Sequence, residues 1–153
     1  MQILVIRHGQ SQADVEDRLE GRADFPLTEL GQEQALSAAW WIRDHCPPEL
    51  VLSSTLVRAA ATARAISEAV QVELRFEPLL MEWDNGKLAG LLREEADRLY
   101  PRPAGGRKPH DTNAETESMI QFRARAETFW SKFTHEYILP ARYQRVALVS
   151  HGG

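Results

Sequence analysis

The sequence predicts an α/β fold with a mainly parallel sheet, and three observations carry that prediction. Two short apolar runs, Ile3-Leu4-Val5-Ile6 and Val146-Ala147-Leu148-Val149, stand near opposite ends of the chain. Continuous apolar runs of this length suit strands covered on both faces. Each run leads within two residues into His-Gly, at His8-Gly9 and His151-Gly152. Between them strand-like and helix-like stretches alternate, the order that builds a parallel sheet through right-handed crossovers.

The first strand is read over residues 3–6, so Arg7, His8 and Gly9 arrive at the carboxyl edge of the sheet, where open α/β folds bind ligands. Gly9 lets the backbone turn or approach a ligand closely. Residues 10–26 are polar and are expected to fold as a loop over the end of that strand, with at most one irregular turn. A helix then begins at Leu27-Thr28. Thr28 is a good N-cap, Glu29 complements the dipole, and Ala35, Ala38 and Ile42 share a face until Pro47-Pro48 stops the helix.

Residues 49–54, ELVLSS, read as a second buried strand, followed by an alanine-rich helix over residues 56–70 that can approach the sheet closely. Residues 72–76, VELRF, alternate in polarity as an edge strand does. Residues 78–90 hold Glu82 and Trp83 between turn formers and are assigned to a loop, before a short helix over residues 91–100. Residues 101–113, PRPAGGRKPHDTN, are the stretch expected to be most mobile. A long helix is expected from about residue 115 to residue 138, with Met119, Phe122, Ala126, Phe129 and Phe133 on its core face. The strand at residues 145–150 then leads into His151.

With 153 residues, 43% of them hydrophobic and 26% charged, the chain reads as a single domain over residues 1–153. A formal charge of −4 without a long basic run argues against non-specific nucleic-acid binding. Cys46 is the only cysteine, which excludes an internal disulfide and a cysteine-based metal cluster. The N-terminus enters a strand at once, without a basic leader or signal-type region, and no apolar run approaches spanning length. A cytoplasmic protein is the expectation, with no membrane or nucleic-acid partner and with a homodimer left open.

An isolated Arg-His-Gly is more often a polar loop than a site. Here it is joined by Asp24-Phe25-Pro26-Leu27-Thr28-Glu29-Leu30-Gly31 with Gln34-Ala35, by Ser53-Ser54-Thr55-Leu56-Val57-Arg58-Ala59 with Thr62-Ala63, by Glu82 with Gly86, and by Ser150-His151-Gly152. In these blocks and in their order the chain resembles the histidine phosphatase superfamily, the group of cofactor-dependent phosphoglycerate mutases and related phosphatases, and its compact phosphatase branch in particular. The resemblance implies a three-layer α/β/α sandwich of the phosphoglycerate mutase type, with a C-terminal part missing because members usually continue past the second His-Gly.

The resemblance also implies that His8 is the nucleophile, forming a phosphohistidine. Arg7, Arg58 and His151 would surround the phosphoryl group, Glu82 would be the proton donor, and no cofactor or metal would be needed. The chemistry of the side chains fits those roles. Neutral imidazole is nucleophilic near neutral pH, and arginine stays charged and grips phosphate oxygens bidentately. His151, if protonated, would add a third positive donor. A glutamate beside Leu80, Met81 and Trp83 could have its pKa raised enough to hold the leaving group's proton.

Ser11, Arg22 and Gly152 are further candidates to bind phosphate or substrate, and Trp83, Lys87 and residues 101–113 to shape the pocket. His45, His110 and His135 are read as surface residues. Asp14 departs from the asparagine common in the family six places after the nucleophile, and its carboxylate would repel phosphate unless protonated or turned away. The 69 positions separating Glu82 from His151 match the compact branch rather than the longer mutases. Hydrolysis of a small phosphomonoester is therefore the leading reading. Mutase-type transfer, a metal hydrolase using His8, His151 and Glu82, and a non-catalytic phosphate-binding module stay open beside it.

Overall fold

The computed structural model of the protein describes residues 1–152. The four apolar segments form strands β1 (Gln2–Arg7), β2 (Leu50–Ser53), β3 (Glu73–Phe76) and β4 (Arg145–Ser150), all parallel, in the order β1-β4-β2-β3. β4 thus lies between β1 and β2, with Arg7 level with Ser150 and Ser53 level with Val149. This register gives the site its position, because His8, Ser54 and His151 leave three adjacent strands at one edge. His8 N donates to Ser150 O and Ser54 N to Val149 O at 3.2 and 2.9 Å, which carries the ladder one residue beyond the strands.

Successive side chains of the central strands point to opposite faces, and both faces are covered. Val51, Ala147 and Val149 meet Ala39 and Ile42 of helix α2 (Glu29–His45) and Ala59, Ala63 and Ile66 of helix α3 (Val57–Val70). Leu50, Leu52, Val146 and Leu148 meet Leu80, Phe129 and Phe133, the last two from helix α5 (Met119–Phe133). The expected three layers are therefore present, with β3 at one edge as the alternation in VELRF indicates.

Three expectations need correction. The first strand does not lie buried on both faces: among the described residues β1 is the other edge of the sheet, and Val5 is 73% exposed. Val5 instead borders an apolar groove shared with Ala38, Trp41 and Ile42 of α2. The polar stretch after Gly9 is not all loop, because residues 12–16 form helix α1 (Gln12–Glu16), closed by a capping box between Ser11 and Asp14. The long helix starts at Met119 rather than near residue 115, since Ser118 and Gln121 make another capping box there. Met119 is consequently exposed rather than in the core. The remaining helix, α4 (Arg93–Leu99), follows two 3₁₀ turns at Pro78–Leu80 and Gly86–Leu88, and α5 runs on into a π-helical turn at Thr134–Ile138.

Candidate active site

The turn after β1 is built by a backbone approach that only glycine permits. A Cβ on Gly9 would stand 2.3 Å from Gly31 O, and one on Gly31 would stand 2.0 Å from Gln10 O, so neither position has room for alanine. Three side chains brace the same turn. Thr62 Oγ1 accepts from Gly9 N at 3.2 Å, Gln34 Oε1 accepts from Gln10 N at 2.9 Å, and Thr28 Oγ1 donates to Gln10 Oε1 at 2.8 Å. Thr28, Gly31, Gln34 and Thr62 all belong to the recurring blocks, which gives those blocks a common physical purpose: they fix where His8 points.

His8 is only 6% exposed. Its Nδ1 lies 2.7 Å from Gly9 O, a contact that requires Nδ1–H and leaves the lone pair on Nε2. Arg58 Nε faces that nitrogen at 3.3 Å. Burial, and secondarily the charges of Arg58 and Arg7, hold the His8 pKa below its ordinary value despite opposition from Gly9 and Glu20. Neutral imidazole with an outward Nε2 is the form a nucleophile requires.

Arg58 is fully buried on the first turn of α3. Besides facing His8, it donates through Nη1 to Ala23 O at 3.1 Å and through Nη2 to Gly21 O at 2.8 Å. The guanidinium therefore clamps the loop ahead of α2 onto the strand ends. Gly21 has φ +51, and a Cβ there would meet the Asn85 side chain at 2.7 Å, so this loop position also favours glycine. Asp24 Oδ1 accepts from Val57 N at 2.6 Å and caps α3 from a distance.

His151 follows β4, its ring centroid 5.1 Å from that of His8. Its Nε2 lies 2.8 Å from Ser54 Oγ, while Nδ1 is buried with no hydrogen-bond partner among the described residues. Burial first, then Arg58, His8 and Arg7, push the His151 pKa down to about 3. It is a neutral hydrogen-bonding group in this arrangement.

Glu82 lines a groove with Ser150 and His151. Its loop is held by Arg125 of α5, which donates to Leu79 O, Met81 O and Glu82 O at 2.8, 2.7 and 3.2 Å while paired with both carboxylate oxygens of Glu117 at 3.0 Å. Ser150 Oγ adds a bond to Leu80 O at 2.9 Å. Trp83 packs tilted on Phe122, with the Arg107 guanidinium 4.7 Å from its ring centroid.

The other anticipated residues divide. Arg7 stands at the site with an exposed side chain, Nη2 3.4 Å from Asp14 Oδ1. Asp14 is turned back onto its own helix, where its Oδ2 accepts from Ser11 N at 2.8 Å and its N donates to Ser11 Oγ at 3.1 Å. Partial burial works against its charge, but the Ser11 bonds and the Arg7 charge outweigh it and hold the carboxyl below the usual range. Ser11 is fully buried as the cap of α1, and its hydroxyl also bonds Glu20 Oε1. Arg22 is paired with Asp84 at 3.2 Å and lies 3.9 Å from Glu117. Gly152 is exposed. Lys87 pairs with Glu115 at the surface, and His45, His110 and His135 are exposed.

Sequence reasoning passed over Glu20, Arg125 and Glu117. Ser118-x-x-Gln121 is a readable helix start that brings Glu117 next to Arg125, but no local signal marks Glu20. Its carboxylate comes within 3.4 Å of Arg58 Nε and 3.9 Å of His8 Nε2 only because the loop folds over the strand ends.

A profile of the histidine phosphatase superfamily (branch 1) matches residues 3–153. The chain belongs to that superfamily. It is 30% identical over 163 residues, 99% of this chain and 70% of the relative, to a glucosyl-3-phosphoglycerate phosphatase of Mycobacterium tuberculosis. An Escherichia fergusonii protein named "Probable phosphoglycerate mutase" is 31% identical over 160 residues, again covering 99% and 70%. Among solved structures, a mycobacterial glucosyl-3-phosphoglycerate phosphatase in complex with VO3 superposes with a TM-score of 0.82 at 30% identity, covering 98% of this chain and 75% of the other. Superfamily membership thus joins a site of two histidines and two arginines to relatives described as phosphatases and mutases. No described helix is long and apolar enough to cross a membrane.

Proposed function

We propose that the chain hydrolyses a small phosphomonoester through a phosphohistidine on His8. The observation that carries this reading is the His8 ring: its Nδ1 is tied to Gly9 O at 2.7 Å, and its Nε2 is presented to a buried arginine at 3.3 Å. In the first step the Nε2 lone pair forms the N–P bond as the ester P–O bond breaks. Arg58 and Arg7 stabilise charge on the phosphoryl oxygens, and Glu82 gives the departing alkoxide its proton. In the second step Glu82 takes a proton from water, whose oxygen attacks phosphorus and returns His8 to its neutral form. His151, across from His8 at 5.1 Å between ring centroids, hydrogen-bonds the phosphoryl oxygens.

Mutase-type transfer uses the same residues, and the relative named as a phosphoglycerate mutase keeps it as the second reading. Hydrolysis is favoured because Arg7 and the groove beside Glu82 are open to water. The substrate class is a phosphorylated small molecule, as the relatives' names suggest.

The test is turnover of an aryl phosphate by the chain and by His8→Ala, with chelator present and acid-labile phosphoenzyme trapped in parallel. Chelator-resistant turnover and a trapped intermediate, both lost in His8→Ala, are expected. Turnover that survives in His8→Ala would overturn the phosphohistidine route. Transfer of phosphoryl between positions of a phosphoglycerate, without net release of phosphate, would establish the mutase instead.

A further inference from the structure

The space in front of His8 already holds an anion. Glu20 Oε1 accepts from the buried Ser11 hydroxyl and lies 3.4 Å from Arg58 Nε, while Oε2 lies 3.9 Å from His8 Nε2. The Glu20 side chain is 14% exposed, and Ser11, itself fixed as the cap of α1, anchors it in that position. A phosphoryl group transferred to His8 Nε2 must place its oxygens beside this carboxylate. Two bare anions in that space repel each other, whereas a single proton between them makes a charge-assisted hydrogen bond.

We propose that Glu20 is a specificity-determining residue of the phosphoryl site: its carboxylate accepts a hydrogen bond from a P–O–H group, so the site takes phosphomonoesters as the monoanion and rejects tetrahedral dianions that bring no proton. The proposal rests on the phosphatase reading of His8 and names the ionic form of its substrate. The proton balance is simple. A monoanion ROPO3H⁻ binds as it is, and a dianion ROPO3²⁻ binds with one proton taken up from solvent. When the N–P bond forms and the P–OR bond breaks, that proton stays between the phosphoryl oxygen and Glu20, and the leaving alkoxide takes a different proton from Glu82.

The surrounding charges assign this role to Glu20. Arg58 feels the negative charges of four carboxylates, Glu20, Glu82, Asp24 and Asp14, of which Glu20 is paired with it at 3.4 Å, so positive charge in the site is scarce for a dianion. Asp24 is occupied in capping α3 and Asp14 in capping α1, where it stays ionised. Arg7 at the end of β1 is paired with Asp14. His8 and His151, at the ends of β1 and β4, are held neutral by burial and take up no proton at neutral pH. Glu82, from the segment after β3, is assigned to the leaving group. Glu20 is the carboxylate within 4 Å of both His8 Nε2 and Arg58 Nε.

The experiment titrates the intact chain and Glu20→Gln with inorganic phosphate and with sulfate by calorimetry, from about pH 6 to pH 9, and follows aryl phosphate turnover in the same samples. Phosphate can bring a proton and sulfate at neutral pH cannot. The native chain is expected to prefer phosphate by about 100-fold or more near pH 7, as sites built around a ligand hydroxyl do. HPO4²⁻ still carries a P–O–H, so phosphate affinity should hold up to about pH 9, whereas kcat/KM for the aryl phosphate, whose dianion carries none, should fall about tenfold per pH unit above the ester's second ionisation. In Glu20→Gln the two anions should bind at near parity and the fall of kcat/KM with pH should disappear, with Glu20→Ala behaving alike. Equal discrimination in the native chain and Glu20→Gln would overturn the role of Glu20 while measured turnover still upholds the phosphatase reading. Lost discrimination in Glu20→Gln without turnover in either protein would support Glu20 and overturn the hydrolase. Failure of both proteins to bind either anion would overturn both.

Discussion

Replacing Arg58 by lysine keeps a positive charge beside His8 and removes the planar fork. In the structure the guanidinium reaches Ala23 O at 3.1 Å, Gly21 O at 2.8 Å and His8 Nε2 at 3.3 Å, three directions that one ammonium cannot serve together. Two of the three contacts are therefore lost. Hydrogen bonds to a charged group contribute about 1.5–3 kcal/mol each, and partial replacement by water leaves a predicted destabilisation of about 3 kcal/mol. For a chain of this size, about 2–4 °C per kcal/mol converts that into a Tm lower by roughly 6–12 °C. The effect on catalysis is expected to be larger than the charge alone suggests. The loop bearing Glu20, Gly21 and Ala23 loses its tether, and misplacement of a site by an ångström costs about 100-fold in rate. Calorimetry and steady-state turnover of an aryl phosphate give the two numbers. A lysine variant with native Tm and native kcat/KM would show that charge suffices and that the clamp on the loop is irrelevant.

Three further outcomes are expected. Gly31→Ala forces a Cβ to 2.0 Å from Gln10 O, and the backbone shift it demands should lower stability by about 3 kcal/mol or more, read as the urea midpoint. His151, with its pKa held down to about 3 against 6.5 for the free side chain, stays neutral in the fold while the unfolded chain protonates. Its contribution to stability is thus full above pH 6.5 and declines as pH falls toward about 3, and His151→Asn should flatten this part of a pH-stability curve. Arg125→Met releases the carbonyls of Leu79, Met81 and Glu82 and leaves Glu117 without its bidentate partner. It should lower kcat about tenfold or more, with a larger loss for alkyl than for nitrophenyl esters, because only the alkyl leaving group depends on a well-placed proton donor. An equal loss for both would detach Arg125 from the placement of Glu82.

What could be read from the sequence was what is encoded locally. Thr28 capping α2, the alanine face of α3 and the alternation in VELRF each depend on a few neighbouring side chains, and the structure has them as expected. The exposure of β1 is different in kind. Its four apolar residues are the same in a central or an edge strand, and only the insertion of β4 between β1 and β2 decides which it is. Helix α1 escaped notice because five residues with only Ala13 and Val15 apolar make no apolar stripe; it depends on the Ser11–Asp14 cap. The same cap turns Asp14 back onto α1, while Glu20, unremarkable in sequence, comes within 3.9 Å of His8 Nε2. The neutrality of His151 was equally hidden, since it depends on burial and on arginines from other segments.

The position of β4 also bears on how the protein is made. Gln2 and Arg145 are paired in the register of neighbouring strands although 143 positions separate them. During synthesis β1 leaves the ribosome long before β4, its only described neighbour in the sheet. Such distant pairings form late, after the loop-closure entropy of most of the chain has been overcome. Until then His8 has neither the Ser150 carbonyl that anchors its backbone nor His151 across from it. The strand-end arrangement that sets His8 opposite His151 therefore forms only once β4 has joined β1.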